Sequence, residues 1–289
     1  MAANRSAPLP SAAYDQLIDL ALREDLGTVD VEADLTAAWT VAGDAEARAR
    51  IIARQAGVVA GIEVARAVFA RLDQGISACA EVADGDEVAE GQTLVRLQGR
   101  ARSLLAGERT ALNFLQQLSG VASLTRRYVE ALSGTATRIT DTRKTTPGWR
   151  HLQKWAVRLG GGANHRMGLY DAVLIKENHA AAAGGVRAAI RAARSQAAPI
   201  YVEAENLAEV EEALAGGPDR ILLDNMDVPT LRRAVALIRA ANPAIEIEAT
   251  GGYTLATVRE AAAAGVDLVS IGALTHSAPA LDLSMLFEG

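Results

Sequence analysis

The chain has 289 residues and a formal net charge of −6, with 50% hydrophobic and 22% charged residues. This length and balance are typical of a globular protein that buries one large core or two modest ones. The acidity argues against nucleic-acid binding, which needs a broad basic surface, and no apolar run reaches the ~20 residues of a membrane span. The first thirteen residues lack the apolar segment of a signal peptide, so we expect a cytoplasmic protein.

The N-terminal part, about residues 14–118, mixes helical and strand patterns. Helices are predicted for residues 14–24 and 61–72. Residues 76–99 contain Asp-Gly and Glu-Gly turns between short strand candidates, a pattern that resembles the hairpins of lipoyl and biotinyl carrier domains. A carrier presents a lysine, and this part of the chain has none, so we interpret it as a small α/β or β-sandwich-like domain. The single cysteine, Cys79, excludes a disulfide framework, and its apolar neighbours predict a buried small residue.

The C-terminal part alternates short apolar runs with helical patterns. A long helix is predicted for residues 107–132. The apolar runs that follow occupy residues 138–144, 172–178, 200–206, 220–225, 245–250 and 268–273. Apolar strands without alternation, separated by helices, are typical of buried parallel strands. We therefore predict a β/α barrel or an incomplete barrel.

The apolar runs end in polar, charged or glycine residues. These are Asp141, Arg143 and Lys144, then Lys176, then Glu203 and Glu205, then Asp224 and Asn225, then residues 250–252, and finally Gly272. One such end could be an ordinary solvated strand end, but a succession of them favours a common site. Because the carboxyl ends of barrel strands build the active site, we expect the functional site at this edge.

Lysine is confined to one region of the chain. All three lysines, Lys144, Lys154 and Lys176, lie between residues 138 and 179, which also hold three of the four histidines. Positive charge elsewhere comes from arginine. A local cationic cluster in an acidic protein suits a small polyanion.

Within this region, several cations are suited to an anion. Arg143 offers a bidentate fork, and Lys144 beside it offers a point charge. The run GGGANHR (160–166) has glycines whose backbone can approach an anion closely, followed by His165 and Arg166. Three glycines alone are equally typical of a hinge, so it is their combination with the cations that indicates a site.

Two carboxylates, Glu203 and Asp224, end adjacent strands. Facing a cationic cluster, they could hold Mg²⁺, contact ribose hydroxyls or stabilise a developing positive carbon. The structural alternative is ion pairing with Lys176 or the arginines. His179 is interpreted as a residue that caps or braces the chain rather than one that catalyses.

Longer motifs resemble one family nearly from end to end. They are EDLG (24–27), ERTALNFLQQLSGVAS (108–123), DTRKTTPG (141–148), KWAVRLGGGANHRMGLYDAVLIKENH (154–179), VEAENL (202–207), LLDNM (222–226), EATGG (248–252) and VSIGALTHSAPALDLS (269–284). The combination of DTRKTTPG, GGGANHR and LIKENH is highly specific. It resembles the quinolinate phosphoribosyltransferases, decarboxylating enzymes of NAD biosynthesis within the type II phosphoribosyltransferases.

This resemblance implies a fold and a reaction. The fold would be an N-terminal α/β sandwich domain (1–118) and an incomplete, about seven-stranded β/α barrel (119–276), with the tail 277–289 packing against the first domain. The reaction would transfer phosphoribose from phosphoribosyl pyrophosphate to quinolinate, giving nicotinate mononucleotide, CO₂ and pyrophosphate, with Mg²⁺ accompanying the sugar donor. The resemblance also implies a homodimer in which each active site borrows residues from the other subunit.

The resemblance assigns roles to individual residues as well. The quinolinate site would contain Arg109 of the partner subunit, Arg143, His165, Arg166 and Lys176, and Thr142 would be a further substrate-binding residue. Phosphoribosyl pyrophosphate would contact Lys144, Lys176, Glu203 and Asp224, the residues to which catalysis is assigned, and Glu203 and Asp224 would contact Mg²⁺ through it. The 5′-phosphate site would contain Thr250, Gly251, Gly252, Ile271, Gly272 and Ala273, with His276 nearby.

Some positions depart from the family pattern, and three alternative functions remain open. The loop after EDLG is longer than usual, and Thr250 replaces the commoner serine. The alternatives are a phosphoribosyltransferase that uses nicotinate or another base, a Schiff-base barrel aldolase with Lys176 as nucleophile, and a non-catalytic phosphometabolite-binding protein. The paired arginines favour a dicarboxylate over a monocarboxylate such as nicotinate.

Overall fold

The computed structural model describes residues 7–195 and 197–288. The strands are β1 (Glu46–Ala53), β2 (Gly57–Val58), β3 (Ser77–Ala80), β4 (Glu87–Val88), β5 (Thr93–Arg100), β6 (Arg138–Thr140), β7 (Val173–Ile175), β8 (Ile200–Ala204), β9 (Arg220–Asp224), β10 (Glu246–Thr250), β11 (Leu268–Ser270) and β12 (Leu283–Glu288). The helices are α1 (Asp15–Leu26), α2 (Leu35–Thr40), α3 (Ile62–Leu72), α4 (Ala101–Ala131), α5 (Arg150–Leu159), α6 (Glu177–Ala183), α7 (Val186–Ala193), α8 (Leu207–Gly216), α9 (Val228–Ala241), α10 (Val258–Ala263) and α11 (Ala273–His276). Among the described residues, no helix is long and apolar enough to cross a lipid bilayer.

The first of two compact units contains residues 7–126, 146–161 and 278–288 of the described chain. Its main sheet is antiparallel, with strand order β12-β1-β5-β3, and β2 pairs separately with β4. Along β1, Ala49 and Ile51 are buried while Arg48 is exposed, the alternation expected of a sheet with one face against the core. The C-terminal strand β12 pairs along β1, so the end of the described chain forms an edge of this sheet.

The second unit contains residues 127–145 and 162–277, apart from residue 196, which lies outside the described residues. Its sheet has the order β6-β11-β10-β9-β8-β7, and all pairs in it are parallel. Edge strands β6 and β7 are not hydrogen-bonded to each other, so the barrel is open.

The expectation of about seven barrel strands is corrected to six in the described part of the chain. Where another strand would pair with β6, Ala163 forms a single parallel bridge with Thr140. The physical reason lies in the sequence before it. Three consecutive glycines carry no side chains to pack against neighbouring strands, and Gly161 turns the backbone at a φ of 93°.

The alternation of side chains along the barrel strands separates an apolar outside from a polar inside. On β10, Ile247 and Ala249 are fully buried beneath helices, whereas Glu246, Glu248 and Thr250 share the opposite face. The outer layer is apolar, since residues such as Leu231 and Ile238 of α9 are also fully buried. The interior of this open barrel therefore contains charged side chains.

Most predicted elements are confirmed. Each of the six apolar runs contains one parallel barrel strand, and α1 and α3 lie within two residues of their predicted bounds. The long helix α4 begins at Ala101, earlier than predicted, and continues through the proposed domain boundary at residue 118. Residues 146–161, expected in the barrel, belong to the first unit, where Trp149 stacks on Phe114 with ring centroids 4.8 Å apart.

The prediction for Cys79 is wrong. Its side chain is exposed. Strand β3 lies at the edge of the antiparallel sheet and pairs only with β5, so its outward face has no covering layer. Apolar neighbours in the sequence did not indicate which face of this strand meets solvent.

Candidate active site

A cavity of about 530 Å³ opens at the carboxyl ends of the barrel strands. Twelve of the residues that the sequence analysis selected line it: Thr142, Arg143, Lys144, His165, Arg166, Lys176, Glu203, Asp224, Thr250, Gly251, Gly252 and Gly272. They come from every barrel strand end or from the glycine-rich segment before β7. The parallel topology brings these distant sequence positions to one edge, as predicted.

The other selected residues do not line this cavity. Ile271 and Ala273 flank Gly272, and His276 lies at the end of the short helix α11. A Cβ atom built on Gly272 would lie 3.1 Å from His276 Nε2 and 3.2 Å from Lys144 Cδ, so His276 borders the same edge. Arg109 is exposed on α4 in the first unit.

Asp141 fixes the glycine-rich segment to the end of β6. This fully buried carboxylate accepts a hydrogen bond from Asn164 Nδ2 at 2.6 Å and one from the backbone N–H of His165 at 2.9 Å. The His165 ring in turn accepts a hydrogen bond at Nδ1 from the backbone N–H of Arg166, with the two nitrogens 2.7 Å apart. These bonds hold His165 and Arg166 on the wall of the cavity.

Arg143 and Arg166 bring two guanidinium groups close together. Burial, and then the charge of Arg143, lower the pKa of Arg166. Arg166 donates from Nη1 to the carbonyl of Ala172 at 2.9 Å, and its buried Nε has no hydrogen-bond partner among the described residues. Two adjacent guanidinium groups, of which Arg166 has an unpaired buried donor, form a site for an anion with more than one negative charge.

Lys176 and Glu203 form an ion pair on the wall of the cavity. Lys176 Nζ lies 2.5 Å from Glu203 Oε2, and the lysine side chain is 47% exposed. The structural alternative raised for Glu203 is therefore realised, although both groups still face the cavity. The backbone N–H of Lys176 also donates to His179 Nδ1 at 3.2 Å, which confirms His179 as a bracing residue.

A second wall is formed by two tight turns. Asp224 at the end of β9 accepts a hydrogen bond from the Asn225 side chain at 3.0 Å, and Asn225 has a left-handed backbone with a φ of 53°. Next to it, Gly251 and Gly252 have φ values of 113° and 57° after β10. Glycines in such a turn let the backbone approach an anion closely, which suits a phosphate.

Sequence reasoning missed five residues that line the cavity. They are Leu174, Leu222, Asn225, Glu248 and Ser270. Asn225 was noted as a strand end but given no role. Glu248 was overlooked because it lies inside a strand, although a carboxylate between apolar residues of a central strand is an unusual feature that could have marked it.

Glu248 is the centre of a buried charge network. Its side chain is fully buried, and Oε2 accepts from Arg220 Nη1 at 2.8 Å and lies 3.6 Å from His165 Nε2. Arg220 also contacts Glu246 at 2.6 Å and lies over the ring of Tyr201, 4.3 Å from its centroid. Tyr201 meets His165 edge to face, with centroids 5.7 Å apart, so the contacts close into a ring. Burial raises the pKa of Glu248 to about 7, while the charge of Arg220 opposes the rise.

The carboxylates that line the cavity offer few ligands for a metal ion. Among the described residues, no group of three or more His, Cys, Asp or Glu side chains could hold a metal ion. Glu203 and Asp224 remain as a pair on adjacent strands. This donor set fits Mg²⁺, which binds proteins through one or two carboxylates and takes its other ligands from water and substrate phosphates.

Comparison with known proteins agrees with this geometry. Models of the N-terminal and C-terminal domains of quinolinate phosphoribosyl transferase match residues 34–119 and 121–286. A probable nicotinate-nucleotide pyrophosphorylase [carboxylating] of Synechocystis is 43% identical over 270 residues, covering 91% of this chain and 89% of the relative. The corresponding Bacillus subtilis protein is 42% identical over 265 residues, with the same coverages.

Solved structures give the same result. The nicotinate-nucleotide pyrophosphorylase from Francisella tularensis superposes with a TM-score of 0.91 at 37% identity, covering 97% of this chain and 98% of that one. NadC from Streptococcus pyogenes superposes with a TM-score of 0.91 at 39% identity, covering 98% and 100%. The chain therefore belongs to the quinolinate phosphoribosyl transferase family.

Proposed function

We propose that this protein transfers phosphoribose from phosphoribosyl pyrophosphate to quinolinate and releases CO₂ and pyrophosphate, leaving nicotinate mononucleotide for NAD biosynthesis. The observation that carries the proposal is the charge arrangement of the cavity. Two adjacent guanidinium groups and two lysines line it together with the carboxyl groups of Glu203, Asp224 and Glu248. The substrates are matched to this arrangement, because one is a pyridine dicarboxylate and the other a sugar with a phosphate and a pyrophosphate.

The quinolinate carboxylates would lie against Arg143, His165, Arg166 and Lys176. Arg166 supports this assignment, since its buried Nε has no hydrogen-bond partner in the described part of the chain and its neighbour Arg143 carries the same charge. A bound dianion would relieve that repulsion and give the buried donor an acceptor. Nicotinate has one carboxylate and would leave part of this donor set unpaired.

Phosphoribosyl pyrophosphate would lie on the opposite wall. Its 5′-phosphate would contact the turn formed by Thr250, Gly251 and Gly252 and the segment around Gly272, with His276 nearby. Its pyrophosphate would contact Lys144 and Lys176. These groups follow four different strands, and the carboxyl edge of the parallel sheet brings them together.

The chemistry follows from these positions. As the bond from ribose C1 to pyrophosphate breaks, its electron pair leaves with the pyrophosphate, and positive charge develops on the sugar. Glu203 and Asp224 would stabilise that charge, while the lysine ammonium groups would stabilise the negative charge that develops on the leaving pyrophosphate. The pyridine nitrogen then bonds to C1, and the carboxylate beside it leaves as CO₂, its electron pair remaining on the ring carbon until that carbon takes up a proton.

Mg²⁺ would accompany the pyrophosphate group and assist its departure. Glu203 and Asp224 are the residues that would hold it, through the substrate rather than in a dedicated cage. The Lys176 ammonium already neutralises part of the Glu203 charge, which agrees with a metal that depends on substrate phosphates.

A homodimer with shared active sites completes the proposal. Arg109 of the partner subunit would supply a further cation to quinolinate, and its exposure on α4 leaves its side chain accessible to a second subunit. The protein would act in the cytoplasm. The family assignment leaves the aldolase and non-catalytic alternatives without support.

The test is an assay with quinolinate, phosphoribosyl pyrophosphate and Mg²⁺, run beside the same assay with nicotinate. We expect nicotinate mononucleotide and CO₂ from quinolinate only. Lys144→Ala and Arg109→Ala should each be inactive, and mixing them after subunit exchange should restore about a quarter of the activity, because random pairing leaves one intact site in half of the dimers. No recovery from two folded variants would reject the shared site, and turnover of nicotinate alone would reject the proposed substrate.

A further inference from the structure

We infer that Glu248 is a substrate-binding residue, which takes quinolinate in its neutral acid form by donating a hydrogen bond from Oε1 to one of the substrate carboxylates. The inference rests on the proposed function and adds to it a residue to which no role has been assigned.

The position of Glu248 is the first support. It lines the same cavity as Arg143, His165 and Arg166 and lies two residues before Thr250 on β10. At about 3.3 Å per residue, its Cα lies roughly 7 Å deeper in the barrel than that of Thr250. Glu248 therefore forms part of the floor beneath the rim where the other polar groups stand.

The two carboxyl oxygens of Glu248 have different surroundings. Oε2 is bonded to Arg220 and faces His165, whereas the buried Oε1 has no hydrogen-bond partner among the described residues. A hydrogen bond from Ser270 to the carboxyl group lowers the pKa of Glu248, as does the charge of Arg220, but burial outweighs both. A carboxylate with one bare buried oxygen is costly. A neutral carboxyl with its proton on Oε1 keeps the Arg220 bond and needs only an acceptor, which a bound carboxylate would supply.

The neighbours of Glu248 are compatible with that proton. Arg220 on β9 favours the charged form, but its guanidinium is shared with Glu246 on β10. Tyr201 on β8 packs against Arg220 and His165. Ser270 on β11 hydrogen-bonds the carboxyl group and, like Arg220, favours its charged form. With burial included, the pKa of Glu248 rises to about 7, and a dianion bound above it would favour the neutral acid further.

His165 provides a second hydrogen-bond donor at the floor of the cavity. Because its Nδ1 accepts the backbone N–H of Arg166, the neutral ring carries its proton on Nε2, which faces Glu248. A substrate carboxylate at the floor would then meet donors from His165, Arg166 and Glu248. At a pH above the pKa of Glu248 in the free protein, the site would take up one proton as quinolinate binds. At lower pH the uptake would decrease, because Glu248 is already protonated before binding.

The experiment compares the intact protein with Glu248→Gln, an isosteric variant whose amide N–H₂ donates at every pH. Quinolinate binding is measured by calorimetry from pH 6 to 9, in buffers of different ionisation enthalpy that report proton uptake. For the unmodified protein, we expect affinity to fall up to tenfold per pH unit above about pH 7. Glu248→Gln should bind within a few-fold of the unmodified protein at pH 6, with a flatter pH curve and less proton uptake. The titration of quinolinate itself is common to both proteins and cancels in the comparison.

Two controls separate binding from structure. Glu246→Gln alters the same Arg220 network without touching the cavity lining. Because the charge of Glu246 raises the pKa of Glu248, this variant should keep a pH-dependent affinity and proton uptake, with the fall in affinity moved to lower pH. Glu248→Ala should weaken quinolinate about 10- to 100-fold, the usual loss for a hydrogen bond to a charged group, with a much smaller change in the KM for phosphoribosyl pyrophosphate.

The outcomes distinguish this inference from the proposed function. Equal pH curves and equal proton uptake for the unmodified protein and Glu248→Gln would overturn the role of Glu248 while leaving turnover of quinolinate intact. Failure of the unmodified protein to bind or convert quinolinate would overturn the proposed function itself. Melting temperatures establish whether each variant is folded, and Glu248→Gln decides the question if Glu248→Ala is not.

Discussion

Substitution of Gly251 by alanine tests whether the turn after β10 is a rigid phosphate site. Its backbone has a φ of 113°, outside the range that L-residues adopt readily. A Cβ atom there would lie 2.9 Å from the backbone nitrogen of Asn225 and 2.8 Å from its Cγ. The side chain of Asn225 could rotate away, but its backbone nitrogen is fixed by a 3.0 Å hydrogen bond to the carbonyl of Thr250.

Gly252 provides a matched control. Its φ is 57°, also left-handed, but no atom lies within 4 Å of a Cβ built on it. Gly252→Ala should therefore cost only the conformational strain, about 1–2 kcal/mol. Gly251→Ala adds a steric conflict to strain of about 1–3 kcal/mol, so we expect a total of roughly 3 kcal/mol or a displaced turn.

Two measurements check this difference. Urea denaturation should show a larger loss of unfolding free energy for Gly251→Ala than for Gly252→Ala. Steady-state kinetics should show a KM for phosphoribosyl pyrophosphate raised at least about tenfold in Gly251→Ala, the equivalent of 1.4 kcal/mol, with a much smaller change for quinolinate. Equal effects of the two substitutions, or a larger effect of Gly252→Ala, would refute the reasoning from the Asn225 contact.

Two further predictions concern ion pairs. Lys176→Met should lower kcat/KM by at least about 100-fold through the loss of the ammonium from the site. It should change stability by no more than about 1 kcal/mol, because the Lys176 side chain that pairs with Glu203 is 47% exposed. Arg66→Met, which removes another exposed ion pair, should leave activity unchanged, and a similar kinetic loss in both variants would contradict the assignment. The hydrogen bond from Arg100 lowers the pKa of Asp73 although burial opposes it, so its stabilisation is present above the ordinary carboxyl pKa of about 3.9 and is lost as the pH falls through the lowered value. Asp73→Asn should therefore be less stable than the unmodified protein at pH 7, and the difference in unfolding free energy should shrink toward roughly pH 2. Urea denaturation across this pH range measures the difference. A difference that does not change with pH would show that the lowered pKa of Asp73 does not contribute to stability.

The barrel strands were predictable because buried parallel strands leave a strong local signal. Runs such as 220–225 and 245–250 are apolar, short and followed by helix patterns, and each contains one strand of the sheet. Strand ends were predictable for the same reason, since polar residues begin where burial stops. The location of the cavity followed from these ends alone.

Other features depended on contacts that the local pattern does not encode. The sequence pattern did not show that Cys79 faces solvent, because both faces of an edge strand can carry apolar residues. Nor did it show that Lys154 is buried on α5 of the first unit, since its place in the chain lies between two barrel strands. The family resemblance implied one strand more than the described barrel has, and the glycines before Ala163 account for the difference.

By itself, the sequence determined the parallel barrel and the edge that carries the site, because strand periodicity and strand ends are local properties. Together with the glycine-rich run and the family resemblance, it identified twelve residues that line the cavity. The tertiary structure decided what lies at the floor of that cavity. Glu248 faces inward only because β10 is placed centrally with its even-numbered side chains toward the barrel interior. Its two oxygens differ only because Arg220 and His165, distant in sequence, meet one of them. The electrostatics of a buried carboxyl group depend on neighbours in space, and those neighbours exist only once the chain has folded.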